Sequence, residues 1–223
     1  MAHSSRGFEE FHRLLKTAIA EMPVIGPALA IQVFDRISAR QQERASSFVR
    51  SLSRRVERLE AKSPGLVTTK YLETDEFLYF FVETILHVQR EVRLRKLAAF
   101  RAVVINTVLE DPRIQFDRKD YFFKTLTFLQ EEHLKLLSYI RGQVPPVLMS
   151  DIWVAFHAKE EAKKNYLFSG IDILANRLLI ECVALPMVEA GAAGDKQKID
   201  HAGQEFKVTA LGREFLKFIE LSQ

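Results

Sequence analysis

Four groups of residues in this 223-residue chain have the types that metal binding, proton transfer or nucleophilic attack requires. Glu9 and His12 are spaced as in the Glu-x-x-His pairs of di-iron bundles. Such a centre needs two pairs and further glutamates, and no second Glu-x-x-His occurs. Glu83, His87 and Glu91 stand four residues apart, a spacing that shares one helix face and suits metal ligation or proton shuttling. A metal would need further ligands from elsewhere, so the preferred reading is a histidine hydrogen-bonded where a buried helix meets polar surroundings. Glu131, Glu132 and His133 are consecutive and therefore diverge. Cys182 lies in an apolar, strand-like run and reads as an inert core thiol rather than a nucleophile. G-x-S-x-G, P-loop and G-x-G-x-x-G patterns are absent. The chain therefore reads as non-enzymatic, with no cofactor or metal and no small-molecule substrate.

Composition sets the surroundings for these residues. With 48% hydrophobic and 27% charged residues, the chain has the make-up of a globular protein with a filled core. Its 17 Phe against 9 Gly suit helix-on-helix packing. A single cysteine forms no intrachain disulfide, which fits a reducing cytosol. The first residues reach Glu9 and Glu10 without the apolar run of a signal peptide. The most apolar segment, residues 18–34, contains Glu21, Pro23, Gly26 and Pro27 and falls short of the roughly 20 residues of a membrane span. Those prolines also interrupt any amphipathic membrane-surface helix, so membrane attachment is not expected and the location expected is cytoplasmic.

Net charge is only +3, too small for a general attraction to polyanions. The cations nevertheless cluster. Arg36, Arg40, Arg44, Arg50, Arg54, Arg55, Arg58 and Lys62 form one group, and Arg90, Arg93, Arg95, Lys96 and Arg101 a second. The reading preferred for both is a solvated helix face.

Helical periodicity dominates the elements that carry these groups. A first helix is expected over residues 8–20, ended by Met22-Pro23-Val24-Ile25-Gly26-Pro27, with Pro27 in the first turn of the next. That next helix carries Phe34, Ile37, Gln41, Ala45, Phe48, Leu52, Val56 and Leu59 on one straight stripe, with arginines opposite. The stripe needs a partner within the chain or in a second copy, and Phe34, Ile37, Phe48, Leu52, Val56 and Leu59 are its candidate self-association residues. Thr74-Asp75-Glu76 starts a helix that is apolar almost all round and so belongs in the interior. Another follows through Val108, and Asp117 caps one reaching Ile140. Beyond it come a brief helix over 149–156 capped by Ser150, a polar stretch over 158–165 and a short helix over 169–176. Strands are expected over 178–185 and 205–209, then a helix capped by Thr209.

Residues 117–223, with helices over 126–140 and 171–179, a hairpin and a closing helix, resemble a winged helix-turn-helix domain. Thr209-Ala210-Leu211-Gly212 resembles the T-x-x-G helix start that follows the wing in bacterial members. The resemblance implies a recognition helix at 171–177 and a wing at 195–201. Lys159, Lys163, Lys164, Arg177, Lys196 and Lys198 are then the candidate nucleic-acid contacts. The would-be recognition helix, Ile171-Asp172-Ile173-Leu174-Ala175-Asn176-Arg177, is poor in base-reading side chains, and Glu160, Glu161, Asp195 and Asp200 offset the lysines.

The expected architecture is mainly α: a helical bundle over 1–112, then a winged-helix-like module over 117–223. The expected function is an interaction protein that self-associates or binds a protein partner through its N-terminal helices. The alternative is a winged-helix nucleic-acid-binding regulator.

Overall fold

The computed structural model describes residues 32–62, 74–108, 115–184 and 203–220. These form eight helices and one small antiparallel sheet of three strands. The chain divides into two compact units, one of Met1–Thr127 with Phe218–Gln223 and one of Phe128–Lys217. The helix expected over 8–20, the Pro27 turn and the wing expected over 195–201 lie outside the described residues.

In the first unit, α1 (Gln32–Lys62) is one helix of 31 residues. Its stripe is covered within the chain: Phe48, Leu52 and Val56 are 4%, 0% and 1% exposed. The covering elements are α2 (Asp75–Arg90) and α3 (Leu94–Val108), which pack on α1 and on each other. The expectation that this stripe meets a second copy is thereby corrected for Phe48, Leu52 and Val56. Their apolar surface is already removed from water by the chain's own helices. Leu59 is half-buried, and the side chains of Phe34 and Ile37 lie outside the described residues. Arg44 on α1 donates to the Gln89 carbonyl of α2 at 3.0 Å.

α2 begins as its residues dictate. The Thr74 hydroxyl accepts the Phe77 N–H at 3.2 Å, and Asp75 and Glu76 sit at the positive helix end. Only one side of this helix is interior, the side of Phe77, Phe80, Phe81, Thr84, Ile85 and Val88. The opposite side is apolar but exposed, which corrects the expectation of a wholly buried helix.

α4 (Phe116–Phe128) starts one residue before Asp117, which therefore lies inside the first turn. The Gln115 carbonyl accepts the first helical N–H groups, from Arg118 and Lys119. α4 is tied to α2 by Lys119 and Glu76 at 2.8 Å, by the Tyr79 hydroxyl donating to Asp120 at 2.7 Å, and by Phe123 edge-on to Phe80. These bonds hold α4 in the first unit, which runs to Thr127.

The single helix expected over 117–140 is two helices, because the chain turns at Leu129-Gln130 before α5 (Glu131–Gly142). No glycine or proline marks the turn. Gln130 is extended, its N–H donates to His133 Nδ1 at 3.1 Å, and the Tyr166 hydroxyl donates to its side-chain oxygen at 3.2 Å. The first is a local capping bond at the start of α5, and the second ties the turn to a residue far along the chain.

The second unit continues with β1 (Val147–Leu148), α6 (Met149–Ala155), α7 (Glu161–Asn176), β2 (Ile180–Ala184), β3 (Glu205–Val208) and α8 (Ala210–Ile219). The sheet order is β1-β3-β2, all antiparallel, with Val147 opposite Phe206 and Ile180 opposite Val208. Leu136, Leu137, Ile152, Leu167, Leu174, Ile180, Phe206 and Phe215 fill its core. α6 is preceded by Leu148, so Ser150 lies within its first turn instead of capping it. α7 runs unbroken where a polar stretch and a short helix are expected, and its interior Gly170 lies where α5 packs against it. β2 is an edge strand and is buried only at its start. Glu181, Cys182 and Val183 are exposed, so Cys182 is a surface thiol and not a core one.

Thr209 and Gly212 join the sheet to α8. The Thr209 hydroxyl accepts the Gly212 N–H at 2.9 Å and donates to the Leu178 carbonyl at 2.6 Å. At Gly212, a Cβ would overlap the Leu179 carbonyl oxygen and stand 2.8 Å from Val208 Cγ1. The T-x-x-G spacing is thus a cap together with a close helix–strand crossing that admits no side chain.

Candidate functional site

Glu83, His87 and Glu91 do not form a shared site. α2 ends at Arg90, and Glu91 is its extended C-cap, with its side chain turned away from the helix face. Its Oε1 accepts the N–H groups of Val92 and Arg93 at 3.0 and 2.9 Å and the Arg93 Nε at 2.8 Å. Lys96 stands 3.5 Å from Oε2 and donates to the Thr127 carbonyl at 3.2 Å. Burial alone would raise the Glu91 pKa, but the Arg93 guanidinium and the two backbone donors hold it at about 2. Burial lowers the Lys96 pKa against the pull of Glu91. The group is a corner clamp: an acid and a lysine, both under 10% exposed, that fix the turn between α2 and α3. His87 stacks on Phe100 with ring centres 5.8 Å apart, and burial lowers its pKa against the pull of Glu83.

The remaining chemical candidates separate as well. Glu131 and Glu132 pair with Lys135, while His133 is buried and turned toward Gln130. Glu9 and His12 lie outside the described residues. No group of three His, Cys, Asp or Glu among the described residues is placed to hold a metal.

In the second unit, the basic residues gather at the start of α7. Lys159 and Lys163 are exposed, and Lys163 Nζ donates to the His157 carbonyl at 3.3 Å. Lys164 lies 4.7 Å over the Trp153 ring and 4.0 Å from Glu161. Arg177, at the other end, covers the Phe128 ring at 4.4 Å. Lys196 and Lys198 lie outside the described residues. Ile171 and Leu174, in the expected recognition segment, are core residues at 1% and 0% exposure and reach no ligand. The face that α7 exposes is instead Ala162, Lys163, Asn165, Tyr166, Ser169, Asp172 and Asn176, with Glu160 and Glu161 beside it. Charges of both signs are interleaved there.

The first unit carries a different kind of surface. On α2, Leu78, Val82 and Leu86 are 39%, 50% and 51% exposed. At 100° per residue they share an arc of about 120° with Asp75 and Arg90, both exposed. The row reads acid, three large apolar side chains, cation. Sequence reasoning missed it because the helix is apolar almost all round, and only packing shows which side is left out. No helix among the described residues is long and apolar enough to cross a membrane. Comparison with models of protein families, with curated proteins and with solved structures finds no match.

Proposed function

We propose that this chain is a non-enzymatic interaction protein that self-associates through its helical N-terminal unit, with the outer face of α2 as the contact between two copies. The observation that carries this reading is the exposed row Leu78, Val82 and Leu86 on a helix whose other side is core. Large apolar residues at three successive turns form a patch of the kind that marks an interface. The row is also complementary to itself. Laid antiparallel on a second α2 about a two-fold axis, Asp75 of one copy faces Arg90 of the other, with the apolar residues between them. Sedimentation equilibrium tests this. The wild-type chain is expected to dimerise at micromolar to tens-of-micromolar concentration, and Val82→Lys to be monomeric with an unchanged helical spectrum. Asp75→Arg is expected to weaken the dimer and Asp75→Arg with Arg90→Asp to restore it. A wild-type chain that stays monomeric at 100 μM sinks the reading.

A second reading rests on the second unit, which we take to be winged-helix-like. Its order helix–strand–helix–helix–strand–strand, its sheet order β1-β3-β2 and the Thr209–Gly212 crossing support that type. Such a module presents the start of α7 to duplex nucleic acid, with Lys159, Lys163 and Lys164 toward phosphates. Interleaved Glu160, Glu161 and Asp172 keep this reading second. Its test is anisotropy of a labelled duplex at rising salt. Binding that falls steeply, with a slope flattened by Lys163→Glu and Lys164→Glu, supports it, and no binding at 50 mM salt discards it.

A further inference from the structure

The turn between α2 and α3 carries apolar side chains where a pair of helices ends. Val92 is 65% and Leu94 81% exposed, more than Leu78, Val82 or Leu86 on the α2 row. Large apolar groups left in water forgo the stabilisation that burial would bring. The turn is also fixed. Glu91 folds inward, accepts the N–H groups of Val92 and Arg93, and stands 3.5 Å from the buried Lys96. Val92 and Leu94 are therefore held outward by a clamped corner.

The same corner is cationic. Between Glu83 and Glu110 the sequence holds one acid, Glu91, among Arg90, Arg93, Arg95, Lys96 and Arg101. That acid is 7% exposed and engaged with Arg93 and Lys96, whereas Arg90, Arg93 and Arg95 are exposed. The start of α1 adds to the cluster. Arg44 reaches the Gln89 carbonyl in the last turn of α2 at 3.0 Å. The buried stretch of α1, from Ala45 to Val56, lies on the far side of Arg44, so α1 runs antiparallel to α2. Exposed Arg40 then stands one turn, about 6 Å, past Arg44 toward the corner. Glu43, exposed beside them, offsets one of these charges.

We propose that this corner docks on the surface of an anionic lipid bilayer, Val92 and Leu94 entering the interface and Arg40 and Arg90 facing the headgroups. Apolar insertion and a basic patch are the two signals that together hold a peripheral protein on a membrane, where either alone is marginal. A nucleic acid would use the cations and leave Val92 and Leu94 in water. A protein partner would need a pocket to receive them, whereas a fluid bilayer takes a projecting tip without one. The prolines that set residues 18–34 aside as a membrane-surface helix do not bear on this element. Nor does the proposal depend on self-association, whose apolar row is Leu78, Val82 and Leu86.

The test is co-sedimentation of the full chain with phosphatidylcholine vesicles, with and without phosphatidylserine at about a third of the lipid, in 50, 150 and 500 mM NaCl. Binding is expected only with phosphatidylserine and should fall as salt rises, because salt screens the arginines. Val92→Asp with Leu94→Asp should weaken it about fiftyfold or more, since each side chain removed from water contributes about tenfold. Arg40→Glu should weaken it about tenfold. Leu94→Trp should still bind, and its added emission should shift to the blue with phosphatidylserine vesicles, which reports entry of the side chain and not contact of charge alone. If the aspartates alter the helical spectrum, Val92→Ser with Leu94→Ser replaces them and should lose about tenfold or more. No binding at 50 mM NaCl overturns the proposal. So does binding that Arg40→Glu weakens while the serine pair retains it, the pattern of a charge-only surface suited to nucleic acid.

Discussion

Gly170 and Gly212 both sit inside helices, yet substituting them should have opposite effects. A Cβ at Gly170 would stand 3.4 Å from His133 Cδ2, an ordinary contact. Gly170→Ala should therefore gain about 0.5–1 kcal/mol of stability from helix propensity. At Gly212 the same methyl meets the Leu179 carbonyl, a backbone atom that cannot swing away. Gly212→Ala should lose roughly 3 kcal/mol, the upper end for overpacking. Urea denaturation of the two variants checks the contrast. Glu91 provides the pH dependence at this scale. Its folded pKa of about 2 lies below the ordinary carboxylate value of 4.5, so its stabilisation is present above pH 4.5 and is lost as pH falls from there through 2. The loss is on the order of 3 kcal/mol. Glu91→Gln should flatten that limb of a stability–pH curve and lower stability at pH 7, since Lys96 then loses its buried counter-ion.

Among elements, α6 and α7 end alike. In each, the residue after the C-cap is left-handed, His157 with φ 52 and Leu178 with φ 56. The N–H groups of Leu178 and Leu179 close back on the Ala175 and Leu174 carbonyls at 2.8 and 3.0 Å. That motif favours glycine, and a leucine there carries roughly 1–2 kcal/mol of steric strain. Leu178 is 64% exposed, so its side chain returns little in packing. Leu178→Gly should raise stability by up to about 1 kcal/mol, the part of that strain left after the added chain entropy of glycine. A higher urea midpoint at unchanged slope is the expected result, and a lower midpoint would show that Leu178 packs more than its exposure implies.

For the molecule as a whole, the proposed dimer face lies on the outer side of α2, in the first unit, and Leu178 belongs to the second. Substitutions that share no partner should act independently. Leu178→Gly is therefore expected to leave the dimer constant within about twofold. Sedimentation equilibrium of that variant checks this, and a change of about tenfold would mean that the second unit takes part in the association.

Local chemistry alone determined the helical class, the Thr74 start of α2, the exit at Arg90 and the Thr209–Gly212 junction, because caps, charges and close-approach glycines act between neighbours in the chain. The long helix of residues 32–62 was equally legible, since its apolar stripe repeats at the helical pitch. Tertiary structure decided the rest. No glycine or proline near Leu129-Gln130 spells a break; the turn is held by the local Gln130–His133 bond and by Tyr166 from far along the chain, and α4 joins the first unit by bonding to α2. Cys182 is apolar in context and exposed in fact, because only strand order makes β2 an edge. The same holds for the surfaces with proposed roles. α2 is apolar almost all round, and which side stays wet is settled by where α1 and α3 pack. The metal-like spacing of Glu83, His87 and Glu91 dissolved when the helix ended one residue early.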